Sequence, residues 1–558
     1  MSRLIRRAPR VLPLCVASAA LHAQTPASMA ARSTVYAPSG MVATSQPLAS
    51  AAGLEVLQRG GNAIDAAITA AAVLTVTEPM MTGIGGDLFA LVWVAKERKL
   101  VALNASGRAG TRMTREELLR RGRTEIARGV EAITVPGALA GWDALLRAHG
   151  TRSLADALAP AIRYADDGFP VTPIIALDWG YEPTVRMLRR DSAATATFLP
   201  GGQAPKAGEW FRNADYARTL RTIAQEGIGA FYGGTLGRRM VDHLERLGGF
   251  LTIDDLRATR PEWVTPLSVP YRGYRLWELP PNNQGIAALE MLRILEPFDL
   301  KAMGHNSPTY LHHLIEAKKL AYADLDRFVG DADHLDGPID RLLGDDFIRE
   351  RRRHLDPARA MTRTDPGPAR TASETIYLTV ADREGNMVSL INSIYDEFGA
   401  GIVVPGTGFA LHDRGAAFTL TPGLPNTVAP GKRPFHTLIP AFVTRTTGAG
   451  VEEPYMSFGV MGGAMQAQGH VQVFLNHVLF GMEPQQALDA ARVRHMRGTR
   501  VLVEAPIGSA VRDALRAMGH EPGDLDPSMA GGAQLIVRLP RGWGGASDPR
   551  KDGLAIGH

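Results

Sequence analysis

The stretch that decides the fold is Thr375-Ile-Tyr-Leu-Thr-Val-Ala381, followed by the turn Asp382-Arg-Glu-Gly-Asn386 and by Met387-Val-Ser-Leu-Ile391. β-Branched and aromatic residues fill both flanks of the turn, so the stretch predicts a β-hairpin. The preceding residues, Asp356 to Ser373, contain three prolines and many small polar residues, without amphipathic periodicity. They predict an exposed connection that leads into the hairpin.

Outside this hairpin the sequence has an α/β pattern. Helical spacing extends from Leu48 to Leu57, and Asn62 with Asp65 three residues later predicts the N-cap of a second helix. Further helices are predicted at Ala138–His149, Ser153–Asp167, Pro308–Val329, Gln466–Leu479 and Pro484–Val493, and further strands at Phe89–Val94, Leu100–Asn104, Leu267–Val269 and Tyr274–Glu278.

Composition excludes several classes of protein. Of 558 residues, 45% are apolar and 21% charged, which is ordinary for a globular chain. No window of about 18 apolar residues predicts a membrane span. The segment from Met1 to Ala23 holds four arginines and no acid, and without it basic and acidic side chains are equal in number, so the charge does not indicate a nucleic-acid partner. The only cysteine is Cys15, so the rest of the chain has no thiolate nucleophile and no Cys-based zinc site.

The segment from Met1 to Ala23 predicts an export signal. Arg3 to Arg10 form a charged region, Val11 to Ala23 an apolar one, and Leu21-His22-Ala23 a small-residue cleavage site. The expected location is therefore periplasmic or secreted. A disordered extension or a misassigned start is the alternative, which would leave the protein in the cytoplasm.

Thr375 is a candidate nucleophile, because it combines an accessible preceding loop with a strand that begins at the threonine itself. A threonine hydroxyl needs a base, and cleavage of the Glu374–Thr375 bond would free the threonine's own α-amine for that role. Gly462 and Gly463 could supply two N–H groups to an oxyanion. On spacing alone, an ordinary strand threonine is the stronger interpretation.

Other catalytic and metal-binding motifs are missing from the sequence. It has no G-x-S-x-G elbow, H-E-x-x-H pair or P-loop. Asp331, Asp333, His334 and Asp336 have ligand-type side chains, but a solvated loop with a helix cap explains them better. No metal site is predicted.

A series of segments in fixed order resembles the gamma-glutamyltransferase family of N-terminal-nucleophile hydrolases. The segments extend from about Gly40 to Gly557. They include Leu57-Gln-Arg-Gly-Gly-Asn-Ala-Ile-Asp-Ala-Ala67, Gly83-Ile-Gly-Gly86, Pro280-Pro-Asn-Asn-Gln-Gly285, Glu316-Ala-Lys-Lys-Leu-Ala-Tyr-Ala-Asp324, Thr375–Asn386, Pro430-Gly-Lys-Arg-Pro434 and Gly462-Gly463. Each segment is weak by itself, and their common order is specific.

The resemblance implies a four-layer αββα sandwich of α/β (α+β) class, made as a proenzyme that cleaves itself. Residues 1–23 would be the signal peptide, 24–374 the large subunit and 375–558 the small catalytic subunit. The partners would be a small-molecule amide and the chain's own two subunits. The resemblance implies neither cofactor nor metal.

Position by position, the resemblance implies roles for individual residues. Thr375 matches the nucleophile, and Gly462 and Gly463 match the oxyanion glycines. Ser393 falls where the family keeps a hydroxyl near the new amine, although a strand serine is the alternative. His436 and Thr437 lie where typical members have a serine pair near the substrate carboxylate, although a core or loop histidine is the alternative.

The departures from the family pattern concern the residues that bind an α-amino acid. Tyr395 stands where typical members have an Asn. Arg414 and Ala417 replace a Gln and an Asp that hold the glutamyl α-amine. The arginine that binds the α-carboxylate corresponds to Ser106, with Arg108 two residues later. The pattern is similar to the acylase-like subgroup, so the cleaving chemistry is expected to persist with an altered acyl pocket.

The sequence therefore predicts a self-processing gamma-glutamyltransferase or glutathione hydrolase-like amidohydrolase that acts through an acyl-threonine. A glutaryl- or cephalosporin-type acylase is the first alternative. An unprocessed, noncatalytic protein that only binds such ligands is the second.

Overall fold

Two seven-stranded sheets lie face to face at the centre of the computed structural model, which describes residues 32–362, 374–448 and 450–558. The strands are β1 (Val35–Ala37), β2 (Met41–Thr44), β3 (Asp87–Val94), β4 (Lys99–Ala105), β5 (Phe169–Pro170), β6 (Trp210–Phe211), β7 (Glu262–Val264), β8 (Leu267–Tyr271), β9 (Tyr274–Glu278), β10 (Glu374–Ala381), β11 (Met387–Tyr395), β12 (Ala441–Thr446), β13 (Glu452–Val460), β14 (Val493–His495), β15 (Arg500–Val503), β16 (Glu521–Asp524), β17 (Ala533–Arg538), β18 (Trp543–Ser547) and β19 (Leu554–Gly557). The first sheet has the order β1-β18-β17-β13-β12-β9-β8, and the second has the order β19-β2-β10-β11-β3-β4-β7.

Helices cover the outer face of each sheet. They are α1 (Pro47–Gln58), α2 (Ala63–Thr77), α3 (Arg115–Arg120), α4 (Ala138–His149), α5 (Leu154–Asp167), α6 (Pro173–Trp179), α7 (Glu182–Leu188), α8 (Ser192–Phe198), α9 (Ala214–Glu226), α10 (Gly229–Tyr232), α11 (Thr235–Arg246), α12 (Ile253–Arg257), α13 (Gly285–Leu295), α14 (Leu300–Met303), α15 (Pro308–Phe328), α16 (Asp345–Arg352), α17 (Met465–Val478), α18 (Pro484–Asp489) and α19 (Ser509–Ala517). Helices α2 and α4 pack on the second sheet, and α13 and α17 pack on the first. The predicted αββα sandwich is confirmed. Among the described helices, none combines the length and apolar character needed to cross a bilayer.

The core has three apolar layers, as a four-layer sandwich requires. One lies between the second sheet and its helices, a second between the first sheet and α13, α15 and α17. The third fills the space between the two sheets and includes Phe89, Tyr377 and Phe442. The hairpin β10–β11 is central in the second sheet, so both of its faces are buried. This explains why its sequence is almost continuously apolar.

Most predicted elements agree with the structure to within a few residues. The Asn62 cap is confirmed: its side chain accepts the Asp65 N–H, and the Asp65 carboxylate accepts the Asn62 N–H. The predicted helix Pro484–Val493 is wrong at its C-terminal end, because α18 stops at Asp489 and Val493 begins β14. The Val493 N–H donates to a glutamine side chain of α17 at 3.0 Å, so it has no need of a helical acceptor. The predicted signal peptide, residues 1–23, and residues 363–373 of the connection lie outside the described residues.

Candidate active site

A β-bulge places Thr375 at the start of β10. Glu374 pairs with Tyr395 and Ile376 pairs with Asn392, so Thr375 alone faces the two residues Ser393 and Ile394. A bulge of this kind re-aims a side chain next to a site. The Thr375 hydroxyl donates a hydrogen bond to Ser393 Oγ at 3.3 Å, and both side chains are fully buried. The structure thus brings together the two hydroxyls that the sequence predicted.

Tyr395 fixes the other side of this contact. Its N–H donates to Ser393 Oγ at 2.8 Å, and its φ of 78° turns the chain sharply away at the end of β11. Positive φ is costly for a bulky residue, so the surrounding packing must hold it there. Ser393 Oγ is therefore a shared acceptor that links the threonine hydroxyl to the turn.

Contacts between the sheets align β10 with the strand that leads to Gly462 and Gly463. Thr379 Oγ1 of β10 donates to Ser457 Oγ of β13 at 2.7 Å. Two residues earlier on β10, the Tyr377 ring packs on Gly459 of β13. The packing is so close that a Cβ atom on Gly459 would lie 2.4 Å from the ring. Two more residues along each strand bring Thr375 opposite the segment just after β13. This segment contains both glycines.

Gly462 and Gly463 have φ values of 119° and 58°, which favour glycine. Their carbonyls accept the first hydrogen bonds of α17, so their N–H groups precede the helix at its positive end. Sequence reasoning missed Gln284, whose Nε2 donates to the carbonyls of Gly463 at 2.8 Å and Thr437 at 2.7 Å. Its position in Pro280-Pro-Asn-Asn-Gln-Gly285 was the available signal.

Arg414 is a fully buried cation with unused donors. Its Nη1 donates to Thr437 Oγ1 at 3.1 Å, and its guanidinium lies over the Tyr395 ring at 4.0 Å. The Nε and Nη2 groups have no hydrogen-bond partner. Burial lowers the pKa of Arg414, but a guanidinium remains charged at neutral pH. Three predicted residues, Tyr395, Arg414 and Thr437, therefore form one buried cluster.

His436 is held in its neutral form by its surroundings. Burial, and then the charge of Arg414, lower its pKa to about 3. Its Nε2 donates to Asp87 Oδ2 at 3.0 Å, and its Nδ1 accepts the Leu438 N–H at 3.4 Å. Both ring nitrogens are thus engaged, and the histidine connects the Thr437 segment to β3.

Asp87 is a second residue that sequence reasoning missed. It is the cross-strand partner of Ser393, and its Oδ1 accepts the Gly107 N–H at 2.8 Å. Burial raises the pKa of Asp87, but the imidazoles of His412 and His436 outweigh burial and hold it far below its usual range. The signal was an acid directly after Gly83-Ile-Gly-Gly86, at the first position of a strand.

An acid pair lies next to Arg414. Asp413 Oδ1 accepts the Asp396 N–H at 3.2 Å, whereas Asp396 Oδ1 and Asp413 Oδ2 are buried without a hydrogen-bond partner. Burial raises the pKa of both groups, which reduces the negative charge of the pair. Arg128 Nε, 3.8 Å from Asp413 Oδ2, offsets that charge.

Arg108 lies in a separate ion network. Its guanidinium pairs with Glu262 at 2.9 Å, Asp333 at 3.0 Å and Asp331 at 3.2 Å, and it also donates to the Gly431 carbonyl. These contacts account for the aspartates without a metal. A substrate-binding role for Arg108 stays a prediction, and it requires that the guanidinium exchange these partners.

Among the described residues, His312, Glu316 and His520 bring ligand-type atoms within 4.8 Å of one another. However, Lys319 Nζ lies 2.7 Å from Glu316 Oε1, where a bound cation would be repelled. Glu316 Oε2 accepts the Met361 N–H, and Lys319 donates to the Met361 carbonyl, both at 2.9 Å. The cluster therefore anchors the chain shortly before residue 363.

Comparison with known proteins identifies the family of this chain. The family described as Gamma-glutamyltranspeptidase matches residues 49–558. The chain is 37% identical over 529 residues to the glutathione hydrolase-like YwrD proenzyme of Bacillus subtilis, covering 93% of this chain and 98% of the relative. It is 36% identical over 537 residues to the oxamate amidohydrolase proenzyme of Klebsiella pneumoniae, with coverage of 93% and 98%. The crystal structure of cephalosporin acylase from Bacillus halodurans superposes with a TM-score of 0.89 at 42% identity, covering 96% of this chain and 98% of the acylase.

Proposed function

We propose roles for individual residues of this chain, which belongs to the gamma-glutamyltranspeptidase family. As a member of that family, the chain is a self-processing amidohydrolase. Thr375 is the nucleophile of both self-cleavage and amide hydrolysis. Cleavage after Glu374 separates a large subunit, residues 24–374, from a small one, residues 375–558. The observation that carries this assignment is the bulge that aims the buried Thr375 hydroxyl at Ser393 Oγ, 3.3 Å away.

Self-cleavage proceeds through an ester. Thr375 Oγ attacks the Glu374 carbonyl carbon, and the C–N bond breaks as the Thr375 nitrogen takes up a proton. Water then hydrolyses the ester, which leaves a Glu374 carboxylate and a Thr375 with free amine and hydroxyl. Ser393 orients the attacking hydroxyl, because its Oγ accepts the hydroxyl hydrogen and is itself fixed by the Tyr395 N–H.

Amide hydrolysis reuses the same atoms. The Thr375 α-amine takes the hydroxyl proton as Oγ attacks the substrate carbonyl, and later gives that proton to the leaving amine. The N–H groups of Gly462 and Gly463, at the positive end of α17, stabilise the oxyanion. Water releases the acyl group and regenerates the threonine, or an acceptor amine takes the acyl group instead.

The preferred acyl group carries a terminal anion and no α-ammonium. Arg414 offers buried, unpartnered N–H donors at Nε and Nη2, and the adjacent Asp413 has a cation, Arg128 Nε, 3.8 Å from its Oδ2. A carboxylate fits such a guanidinium fork, whereas an ammonium would meet a like charge. Oxamate, for which one relative is named, is an amide with a carboxylate and no ammonium. A glutaryl amide has the same character.

The test of the nucleophile is the subunit composition of the purified protein. Wild type should give two fragments that span 24–374 and 375–558, the smaller beginning at Thr375 by N-terminal sequencing. Thr375→Ala should remain one chain. Thr379→Ala, on the same face of β10, is the matched control and should be processed. A single wild-type chain would favour a noncatalytic binding protein, and a small fragment beginning at another residue would reject Thr375.

The partners and location follow from the same proposal. The substrate is a small-molecule amide, and the working protein is the pair of its own subunits, with no nucleic-acid partner. We propose that the segment from Met1 to Ala23 directs export to the periplasm or the medium and is then removed.

A further inference from the structure

A cavity of about 810 Å³ opens at the edge of the sandwich, where β4 and β7 diverge from β9 and β12. We call it the edge cavity. Its apolar wall includes Trp93, Leu100 and Ala102 from the second sheet and Trp277 from the first. It is remote from Thr375: Ser393 pairs with Asp87 at the start of β3, and Trp93 lies six residues further along that strand, about 20 Å away.

Three of the chain's seven tryptophans line the edge cavity. Trp277 Nε1 donates to Thr444 Oγ1 at 2.9 Å, and Trp93 stacks on Phe442 with ring centroids 6.3 Å apart, so both indoles are fixed. Trp263 remains 44% exposed at the rim. Because Trp93 is buried and the Arg275 guanidinium lies over the Trp277 ring at 5.8 Å, the exposed Trp263 ring supplies most of the accessible surface for a planar aromatic ligand.

The rim of the edge cavity is positively charged. Arg275 is paired with Glu452 at 2.8 Å, so these two charges cancel. Arg98 and Lys99, on the β3–β4 turn, form no ion pair with a described residue. Burial lowers the pKa of His149, which therefore contributes no charge at neutral pH. The rim thus presents two cations above an aromatic floor, and the Glu97 carboxylate of the same turn is close enough to act on His149.

We propose that the edge cavity is a second ligand site, separate from the amidohydrolase site, and that it binds a planar aromatic anion. The volume lies within the range of small-molecule sites, about 300–1,000 Å³. The tryptophans supply stacking surface, and Arg98 and Lys99 supply charge. The occupant is a small molecule, and a second copy of the chain seated over Trp263 is the competing outcome of the test.

The test uses the processed protein with 1-naphthoate as the probe. Equilibrium dialysis measures stoichiometry, and quenching of tryptophan fluorescence reports the site. We expect one saturable site per chain. The uncharged 1-naphthalenemethanol should bind at least about tenfold more weakly, and raising the salt concentration should weaken only naphthoate binding.

The variants distinguish binding at the proposed site from nonspecific binding of the probe. Arg98→Ala with Lys99→Ala should weaken naphthoate roughly tenfold and leave the neutral probe unchanged. Arg189→Ala with Arg190→Ala removes two exposed charges elsewhere and should change neither. Trp277→Leu should reduce the quenching, since Trp93 and Trp263 remain, and normal amide hydrolysis by each variant shows that it is folded.

Three results would overturn the proposal. The first is the absence of saturable naphthoate binding. The second is equal affinity for the charged and neutral probes, or no effect of the Arg98 and Lys99 substitutions. The third is sedimentation of a dimer that excludes the probe, which would assign the edge cavity to a second copy of the chain.

Discussion

Replacing Arg414 with methionine should change which acyl group the protein accepts. Methionine fills a similar volume without donors, so the wall beside Tyr395 persists while the cation is lost. In the wild-type protein Nε and Nη2 are buried and unpartnered, and together they present a fork to a carboxylate. A hydrogen bond to a charged group contributes about 1.5–3 kcal/mol, so losing two costs at least about 3 kcal/mol.

The expected kinetic effect follows from that figure. For glutaryl p-nitroanilide, kcat/KM should fall by roughly 150-fold or more in Arg414→Met. For valeryl p-nitroanilide, which has the same chain length without the carboxylate, it should change by less than about tenfold. Release of p-nitroaniline measures both rates, and Arg414→Lys, which keeps the charge but not the fork, should lie between the two proteins.

Two outcomes would refute this reasoning. An equal loss on both substrates would mean that Arg414 supports the pocket without touching the acyl terminus. A strong wild-type preference for γ-glutamyl p-nitroanilide over the glutaryl compound would mean that Asp396 and Asp413 hold an α-ammonium after all.

Four further predictions concern processing, stability and export. Ser393→Ala should slow self-cleavage at least about tenfold, measured on a timed gel, whereas Ser393→Thr should preserve the rate. Equal rates for Ser393→Ala and the wild type would show that Ser393 has no role in self-cleavage. Burial raises the pKa of Glu78 to about 8, so ionisation of Glu78 opposes folding as the pH rises from 4.5. Glu78→Gln should therefore leave the free energy of unfolding in urea unchanged at pH 4 and increase it by up to about 5 kcal/mol at pH 9. Equal unfolding free energies of the two proteins at pH 9 would contradict the burial of Glu78. Glu316→Gln leaves Lys319 buried without its carboxylate and should destabilise the protein by about 3–5 kcal/mol in the same assay, unlike a surface Glu→Gln control. Mass spectrometry of the exported protein should show loss of the segment from Met1 to Ala23, and an intact N-terminus in the cytoplasm would reject export.

Local patterns in the sequence were sufficient to predict the strand that carries Thr375, whereas the sandwich was predicted from the family resemblance. The hairpin signal at Thr375–Ile391 and the Asn62 cap depend on neighbours within a few residues, and both are present in the structure. The bulge was not predictable in this way. It depends on the left-handed conformation of Tyr395, which a sequence pattern does not reveal for a bulky residue.

The residues that sequence reasoning missed have partners far away in the chain. Asp87 meets His436 across 349 positions, and Gln284 meets Gly463 across 179. No periodicity within a helix or strand reports such contacts. The misjudged end of α18 has the same origin, because the Val493 N–H finds its acceptor in α17 and the chain can leave the helix early.

The acid pair and Arg414 together explain why the acyl site should select substrates by the free hydrogen-bond donors of Arg414 and not by the net charge of the site. Burial raises the pKa of Asp396 and Asp413, which reduces their negative charge, and the remaining charge faces Arg128, which also donates to the Gly399 carbonyl at 2.6 Å. An incoming ammonium would have to compete with Arg128 for that charge and would approach Arg414 as a like charge. A carboxylate displaces nothing, because Nε and Nη2 of Arg414 have no other partner. A bound carboxylate would satisfy Nε and Nη2, which are already desolvated in the folded protein, so no further free energy is needed to bury them. We therefore expect tighter binding of an anionic acyl terminus than of an α-amino acid.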